Sequence, residues 1–416
     1  MTSSHNFHDS IALCHRTAAH SSNSIGNIRS NLENVRVEYN LNANALDISC
    51  NSLAALAGSG GLHIIQLQSP FVPTMNMFHD TGSTASHVKF HGTSSFIAST
   101  SGSCVLIYDL LSTRNPTLAL PTCNNVTGIS WSPSNESVLA ACLQSGNSLL
   151  WDLRSWSERP SIQFPVFQPS TATQIEWNPS NAHDLAIVQN GGVSIWDTRQ
   201  VHNQPTVRLE DPQHLIHRVS WHPQAYEVIT CSDDALVQMW DIMHPMSCRG
   251  CVTTPNPVTD IACTPFGNGF LTKSMSESFF LRLWKIGFQE VDSYSAEQVH
   301  IFNENRNDVI NAFAWRSLSG GRKFQVVSLV NHNVLSLQNV DAQHVQECDM
   351  DGSYKDLGSS YEGSHASPCA VKSPDWDISM LNWHRLCRLQ AIRSPLKSIQ
   401  AHGPIILVVS YWKMKP

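Results

Sequence analysis

Three stretches of the sequence decide the fold: VTGISWSP (126–133), TQIEWNP (173–179) and HRVSWHP (217–223). Each is a short apolar strand that ends in tryptophan and is followed by x-Pro, and a weaker copy, VTDIACTP, occupies 258–265. The prolines of the four stretches are 46, 44 and 42 residues apart. A unit that recurs at this interval predicts a repetitive fold in which each repeat is one supersecondary unit.

A second marker recurs at the same interval. It is a strand that ends in Trp-Asp, as in SLLWD (148–152), VSIWD (193–197) and VQMWD (237–241), with relaxed copies VLIYD (105–109) and LRLWK (281–285). The aromatic positions are Tyr108, Trp151, Trp196, Trp240 and Trp284. The acidic positions that follow are Asp109, Asp152, Asp197 and Asp241. Two markers that share a period of about 44 residues predict the four-stranded blades of WD repeats.

The number of repeats predicts an all-β, seven-bladed WD-repeat β-propeller with flexible N- and C-terminal tails. Five blades centre on the aromatic positions; residues 45–67 predict one blade upstream, and residues 309–341 one downstream, with Gln338 in place of tryptophan. The last blade lacks an outer strand, whereas VRVEYN (35–40) is a strand without a blade. Because closure leaves no long edge unpaired, we expect the N-terminal strand to complete the last blade.

The propeller is expected to cover residues 35–341. Residues 1–34 and 342–416 show no sustained period and are predicted to be a flexible N-terminal tail and an irregular C-terminal tail. The net charge of −7 argues against nucleic-acid binding by a basic surface over the whole chain. The sequence shows neither an apolar run of the roughly 20 residues that a membrane helix needs nor a secretory signal. We therefore expect a cytoplasmic protein whose twelve cysteines are reduced.

In the fifth blade we expect a structural hydrogen-bond network that includes Trp240, because a buried indole N–H needs a partner. The candidate partners are His214, Thr230 and Asp234. The same residue types could form a hydrolase triad. The sequence has no G-x-S-x-G elbow, however, and the position in the repeat already accounts for the set. The sequence therefore predicts no catalytic residue, no cofactor and no small-molecule substrate.

Two other motifs have structural interpretations. Cys248-Arg-Gly-Cys251 is the only C-x-x-C and has no second pair, so we expect reduced cysteines on an outer strand or loop, and no zinc site. Gly58-Ser-Gly60-Gly61 resembles a phosphate loop, but it precedes a strand, whereas a phosphate loop opens onto a helix. We interpret it as a tight β-turn.

Residues 129–341 resemble the propeller of one family of WD-repeat proteins. This family is a subunit of the second GATOR complex and carries the number fifty-nine in the WD-repeat series; its fungal counterpart belongs to the SEA complex. The resemblance rests on three stretches, TQIEWNPSNAHDLAIVQNGGVSIWDTRQ (173–200), IHRVSWHP (216–223) and TPFGNGFLT (264–272). The last is the most specific, because its blade has lost the usual pattern. With NVRVEYN (34–40) and ALDISC after it, the resemblance covers roughly residues 35 to 341.

The resemblance implies a non-catalytic scaffold in amino-acid sensing upstream of the target-of-rapamycin kinase, peripheral at the lysosomal or vacuolar membrane. The implied partners are other propeller subunits of the complex. Family members continue into an RWD domain and a RING-like zinc domain, neither of which the tail shows, so we interpret the chain as a fragment, a short product or a mis-predicted gene end. The alternatives are a generic WD-repeat adaptor, such as a ubiquitin-ligase substrate receptor or a chromatin reader, and a propeller enzyme. Propellers bind through rim loops, and the repeat pattern assigns no particular loop.

Overall fold

The computed structural model describes residues 34–348, apart from 40–41, 60, 69–72, 78–83, 112–114, 156, 166–170, 202–203, 212, 224–226, 246–247, 275–279, 291–292, 303–307 and 319–322. The expected N-terminal tail up to residue 33 and residues 349–416 of the expected C-terminal tail lie outside the described residues.

The described strands form seven four-stranded antiparallel sheets, the blades, each with an inner, a second, a third and an outer strand. The inner strands are β2 (Ala43–Ile48), β6 (Val88–Phe90), β10 (Val126–Trp131), β14 (Ala172–Trp177), β18 (Ile216–Trp221), β22 (Val258–Cys263) and β26 (Ile310–Leu318). The second strands are β3 (Leu53–Gly58), β7 (Phe96–Ser101), β11 (Val138–Leu143), β15 (Asp184–Gln189), β19 (Glu227–Ser232), β23 (Gly269–Ser274) and β27 (Lys323–Val330).

The third and outer strands complete each blade. The third strands are β4 (Gly61–Gln66), β8 (Cys104–Asp109), β12 (Ser148–Asp152), β16 (Gly192–Asp197), β20 (Leu236–Asp241), β24 (Leu281–Glu290) and β28 (Val334–Asn339). The outer strands are β5 (Pro73–Met77), β9 (Leu118–Pro121), β13 (Ile162–Phe164), β17 (Val207–Leu209), β21 (Gly250–Thr253), β25 (Ser293–Phe302) and β1 (Asn34–Glu38). The described helices are a 3-10 turn, Leu153–Ser155, and α1, Ala342–Cys348. The expected seven-bladed all-β propeller is confirmed.

Ring closure occurs as the sequence predicts. Strand β1 pairs antiparallel with β28, in a register that runs from Asn34 opposite Gln338 to Glu38 opposite Val334. The seventh blade therefore takes three strands from the end of the propeller and one from its beginning. The backbone N–H of Tyr39 extends this pairing by donating to the carbonyl of Asn333 at 2.7 Å. Closure is thus a set of backbone hydrogen bonds between two distant parts of the chain.

The hydrophobic core lies between adjacent blades. One cluster joins Val105 and Ile107 of the second blade to Leu139 and Trp151 of the third. The second strands are buried on both faces, as VLAACL (138–143) illustrates, because a neighbouring blade covers each face. This explains why a second strand such as VLAACL (138–143) is a continuous apolar run instead of alternating apolar and polar residues.

The antiparallel meander divides the connections between two rims of the ring. One end of the ring carries the connections from inner to second strands and from third to outer strands; we call this end the lower rim. The upper rim carries the turns between second and third strands and the connections from one blade to the next. The Gly58–Gly61 segment is such an upper-rim turn, since Gly58 pairs directly with Gly61 across the β3–β4 hairpin, which confirms the predicted turn. A Cβ at Gly58 would overlap the backbone of Asn42, so this position requires glycine.

Candidate functional site

The Trp-Asp markers end the third strands, and their aspartates shape the lower-rim turns. Each carboxylate accepts the backbone N–H of the residue two positions later; these pairs are Asp109 with Leu111, Asp152 with Arg154, Asp197 with Arg199, and Asp241 with Met243. Arg154 and Arg199 also form ion pairs with the same aspartates. Hydrogen bonds from these arginines hold the pKa of the Asp152 and Asp197 carboxyls below their usual range. The contacts are those of Asx turns, whose effect is local.

The aromatic markers are core residues. Tyr108 and Trp151 are fully buried, and Trp196, Trp240 and Trp284 are 3 to 5% exposed. Their indole N–H groups find different acceptors, because the second strands differ. Trp240 donates to Thr230 Oγ1 and Trp284 to Thr272 Oγ1, both at 2.9 Å. Trp151 donates instead to the carbonyl of Glu158 at 3.1 Å.

The structure brings the four predicted members of the fifth-blade network together as two pairs. Trp240 and Thr230 form the buried pair, and His214 contacts Asp234 through Nδ1 on the upper rim. Ser232 was not among the residues expected from the sequence; it is buried and donates from its Oγ to Asp234 Oδ1 at 2.6 Å. The spacing Ser-x-Asp within one turn is the signal that could have found it. Burial alone would raise the pKa of Asp234, but hydrogen bonds from Ser232 and His214 lower it overall.

Contacts between neighbouring inner strands form a second set, which the sequence pattern did not indicate. Trp131 and Trp221 donate from Nε1 to backbone carbonyls one blade earlier, those of Lys89 and Glu176, at 3.0 and 3.1 Å. At the same level the alternate blades donate a backbone N–H to a side-chain oxygen; these contacts are Phe90 to Asp47, Trp177 to Ser130, and Cys263 to Ser220. The tryptophans of the W-x-Pro marker therefore help to bind one blade to the next.

The TPFGNG loop of the sixth blade, residues 264–269, fills the lower-rim junction with the seventh blade. The side chain of Phe266 is fully buried, and its ring centroid lies 4.5 Å from that of Phe324 and 5.5 Å from that of Trp315. Thr264 holds the loop by donating from Oγ1 to the carbonyl of Gly269 at 3.1 Å. The most specific stretch of the family resemblance is thus a packing element.

The same loop anchors helix α1, which lies where an irregular tail was expected from the sequence. The backbone N–H of Asn268 donates to the carbonyl of Cys348, the last helical residue, at 2.8 Å. Cys348 is fully buried, and its sulfur would lie 3.1 Å from a Cβ at Gly269. The ring of His344 packs against that of His300 of β25, with 4.5 Å between centroids and the planes tilted by 32°. The last described residues therefore lie on the lower rim.

A central channel with a cavity volume of about 680 Å³ runs along the inner strands of all seven blades. The polar residues of the channel wall lie at two levels. Each level is defined by the number of residues before a reference position, which is the last residue of the inner strand or, in the seventh blade, Trp315. The upper ring, three residues before that point, is Ala45, His87, Gly128, Gln174, Arg218, Asp260 and Ala312. The lower ring, one residue before it, is Asp47, Lys89, Ser130, Glu176, Ser220, Ala262 and Ala314. The channel wall thus brings polar side chains of several blades close to the axis.

The charges of the lower ring are largely paired. Lys89 Nζ lies 3.1 Å from Asp47 Oδ1, and this carboxylate raises the pKa of Lys89. Gln174 donates from Nε2 to Glu176 Oε2 at 2.9 Å. Burial nevertheless raises the pKa of Glu176 to about 7, against the lowering effect of Lys89. Glu176 is therefore a carboxyl group that changes its charge near neutral pH.

The described residues do not meet the requirements of a metal site, a disulfide or a membrane-spanning helix. Within the described ranges there is no group of three or more His, Cys, Asp or Glu residues placed to hold a metal ion. Cys251 lies on outer strand β21, with Cys248 just before it, and both are free thiols. The helices of the described region are all too short and too polar to span a bilayer.

Fold, repeat and closure define the chain as a seven-bladed WD-repeat β-propeller. The family model for the WD domain, G-beta repeat, matches residues 204–241. A chain of the crystal structure of the mitotic checkpoint complex superimposes with a TM-score of 0.61 over 80% of this chain and 99% of its own length. At 18% identity this likeness shows the fold alone.

Among curated proteins, the chain is similar to GATOR2 complex protein WDR59 of Homo sapiens, with 26% identity over 331 residues. It is also similar to Maintenance of telomere capping protein 5 of Saccharomyces cerevisiae, with 25% identity over 313 residues. The alignments cover 76% and 71% of this chain but 32% and 27% of the relatives. The resemblance stated from the sequence is confirmed, and the chain spans about a third of the length of these relatives.

Proposed function

We propose that this chain is a non-catalytic interaction scaffold that works as a subunit of a GATOR2-type complex, and that the complex regulates target-of-rapamycin kinase signalling in response to amino acids. The similarity to GATOR2 complex protein WDR59 along 331 residues carries this proposal. On this proposal the partners are other propeller subunits of the complex. The site of action is the cytoplasmic face of the lysosomal or vacuolar membrane, where the chain is peripheral.

The positions of the reactive side chains in the described propeller support a binding function. The Ser, Thr, His and Asp residues of the repeat are engaged in turns and blade packing, as the pairs Trp240–Thr230 and His214–Asp234 illustrate. A nucleophile serves catalysis when a base is oriented beside it and a substrate can reach both. Thr230 is fully buried beneath the indole of Trp240, so it meets no substrate.

Both rims offer side chains for contact with a partner. Leu215 precedes an inner strand on the upper rim, and Met243 follows a third strand on the lower rim; each is 67% exposed. Apolar side chains of this size that project from loops on a rigid scaffold are suited to bury area against another protein. Helix α1 already occupies the lower rim of the sixth blade. We therefore expect the upper rim to present the larger free surface.

Affinity purification of the tagged chain followed by mass spectrometry tests the proposal. The full-length relative serves as positive control, and an unrelated seven-bladed propeller with the same tag serves as matched negative control. Enrichment of GATOR2-type propeller subunits over the negative control supports the proposal. Recovery of a cullin ligase or of histones without those subunits supports the generic adaptor instead. An empty result alongside a working positive control contradicts incorporation of this chain into the complex.

A further inference from the structure

The upper ring of the channel has an excess of positive charge. Arg218 belongs to the ring, and Lys273 lies beside it on strand β23, where it pairs with Asp260 of the ring. Both cations line the cavity, and both face Asp260. Two cations around one carboxylate leave one positive charge without a partner at this level. Blades one, three and seven place Ala45, Gly128 and Ala312 here, residues too short to fill the centre or to add charge.

The contacts of the two cations leave donors available. Arg218 Nε is 3.8 Å from Asp260 Oδ1, too long for a hydrogen bond, and its Nη1 donates to the carbonyls of Thr173 and His217. Lys273 Nζ donates to the carbonyl of Asn311 at 2.9 Å. An ammonium has three N–H bonds and a guanidinium five. Both groups therefore keep N–H bonds for a further acceptor in the cavity.

One neighbouring histidine senses the two nearby cations. His87 of the second blade lines the opposite wall, and its pKa falls to about 4 through burial, followed by the charges of Arg218 and Lys89. Burial lowers the pKa of Lys273, against the raising effect of Asp260. The carboxyl of Glu176, one level below, is only half ionised at neutral pH. Asp47 is already paired with Lys89, so Asp260 is the carboxylate that faces Arg218 and Lys273.

We infer that the upper ring of the channel binds a small oxyanion, a phosphate or carboxylate group, between the guanidinium of Arg218 and the ammonium of Lys273. A planar guanidinium binds two oxygens of such a group in parallel, and an ammonium adds a point charge. The cavity admits a small molecule that carries the anionic group. This site is independent of the proposed scaffold function.

Isothermal titration calorimetry on the full chain at neutral pH and low salt tests the site, with inorganic phosphate and succinate as probes in separate titrations. We expect saturable binding of at least one probe, with a dissociation constant of about 1 mM or below. Binding of phosphate alone identifies a phosphoryl ligand, binding of succinate alone a carboxylate ligand, and binding of both a general oxyanion site. Absence of saturable binding for both probes overturns the inference and leaves the scaffold proposal untouched.

Substitutions of Lys273 and Arg218 test whether any observed binding occurs at these two residues. Lys273→Gln keeps a donor for the Asn311 carbonyl and should weaken binding about tenfold or more, and Arg218→Lys should also weaken it because the fork is lost. Lys285→Gln is the matched control, since Lys285 pairs with Glu297 on β25, away from the channel. Melting curves verify that the variants fold. Equal affinity in Lys273→Gln and Lys285→Gln would overturn the site.

Discussion

Arg36 donates a hydrogen bond of 2.7 Å from Nη1 to Asp308 Oδ2, across 272 residues of sequence. Arg36 lies in the strand that closes the ring, and Asp308 lies just before the inner strand of the seventh blade. Asn331 Nδ2 also approaches the same carboxylate, at 3.4 Å. The side chain of Arg36 is 41% exposed, so this ion pair adds only a fraction of the free energy of closure, most of which comes from the pairing of β1 with β28.

The closing strand is expected to be essential, and the residues before it dispensable. Removal of residues 1–30 should leave solubility and melting temperature unchanged. Removal of residues 1–42 deletes β1, exposes the edge of β28, and should cause aggregation or loss of soluble yield. Soluble yield and thermal melts of the two truncations check this, with Arg36→Ala as a control that should lose no more than about 1 kcal/mol. Identical behaviour of the two truncations would contradict closure through β1.

In the fifth blade the free energy of unfolding should decrease in a defined order. Trp240→Ala should lose about 3–5 kcal/mol, from lost burial and the cavity that remains. Thr230→Val should lose about 1–3 kcal/mol, because it leaves the buried indole N–H without its acceptor. Asp234→Ala should lose about 1 kcal/mol or less, since the Asp234 side chain is 43% exposed. Urea melts give the order, and a larger loss for Asp234→Ala than for Trp240→Ala would contradict it.

Two lower-rim glycines provide a matched pair for the anchoring of helix α1. A Cβ at Gly269 would lie 2.7 Å from the carbonyl of Trp284 and 3.1 Å from Cys348 Sγ, whereas a Cβ at Gly92 meets nothing within 4 Å. Gly269→Ala should therefore speed amide hydrogen exchange in residues 342–348, and Gly92→Ala should leave it unchanged. Hydrogen exchange followed by mass spectrometry measures both variants. Unchanged protection of the helix in Gly269→Ala would show that the loop does not hold it.

Substitution of the exposed rim residues should separate binding from stability. Leu215→Asp and Met243→Asp should change the free energy of unfolding by no more than about 0.5 kcal/mol, because both side chains are mostly in solvent. At least one of them should reduce recovery of partner subunits, since an aspartate in an apolar contact leaves a desolvated charge. Quantitative pull-down against the parent chain measures this effect. Full recovery with both variants would exclude these two side chains from the binding surface.

Glu176 should make stability depend on pH in a defined direction. Its pKa rises from an ordinary value near 4.5 to about 7 on folding, so between these values the folded state binds more protons than the unfolded state. Stability from this group is therefore present at low pH and declines as pH rises from about 4.5 to 7. Glu176→Gln should be more stable than the parent at pH 8, and the difference should shrink as pH falls towards 4.5. Urea melts across this range test the sign, and a gap that widens at low pH would contradict it.

Local pattern was sufficient for the architecture because a propeller is a sum of similar, sequential units. Each marker, such as the tryptophan and aspartate of 151–152 or 196–197, reports a blade whose strands are neighbours in sequence. The period of about 44 residues then sets the blade length. Even closure could be predicted, since VRVEYN had no blade and the last blade lacked a strand. The sequence by itself therefore determined the number of blades, their register along the chain and how the ring closes.

Contacts between blades depended on the tertiary structure, because they join residues about 42 to 47 positions apart whose side chains carry no shared signature. The indole of Trp131 finds the carbonyl of Lys89, and the Ser130 hydroxyl finds the N–H of Trp177, only once the ring brings adjacent inner strands together. The packing role of Phe266 and the docking of Cys348 beneath the TPFGNG loop arise in the same way.

The channel is the clearest example of a feature that depends on the tertiary structure. Arg218, Lys273 and Asp260 are ordinary charged residues in three separate strands, and nothing in their spacing indicates a common site. The β22–β23 hairpin pairs Asp260 with Lys273, but only the packing of blades adds Arg218 to the same wall of the cavity and sets His87 opposite. Sequence periodicity encodes local strand order through the repeating pattern of burial, whereas the charge balance near the axis is a sum over all seven blades and exists only after they have closed into a ring.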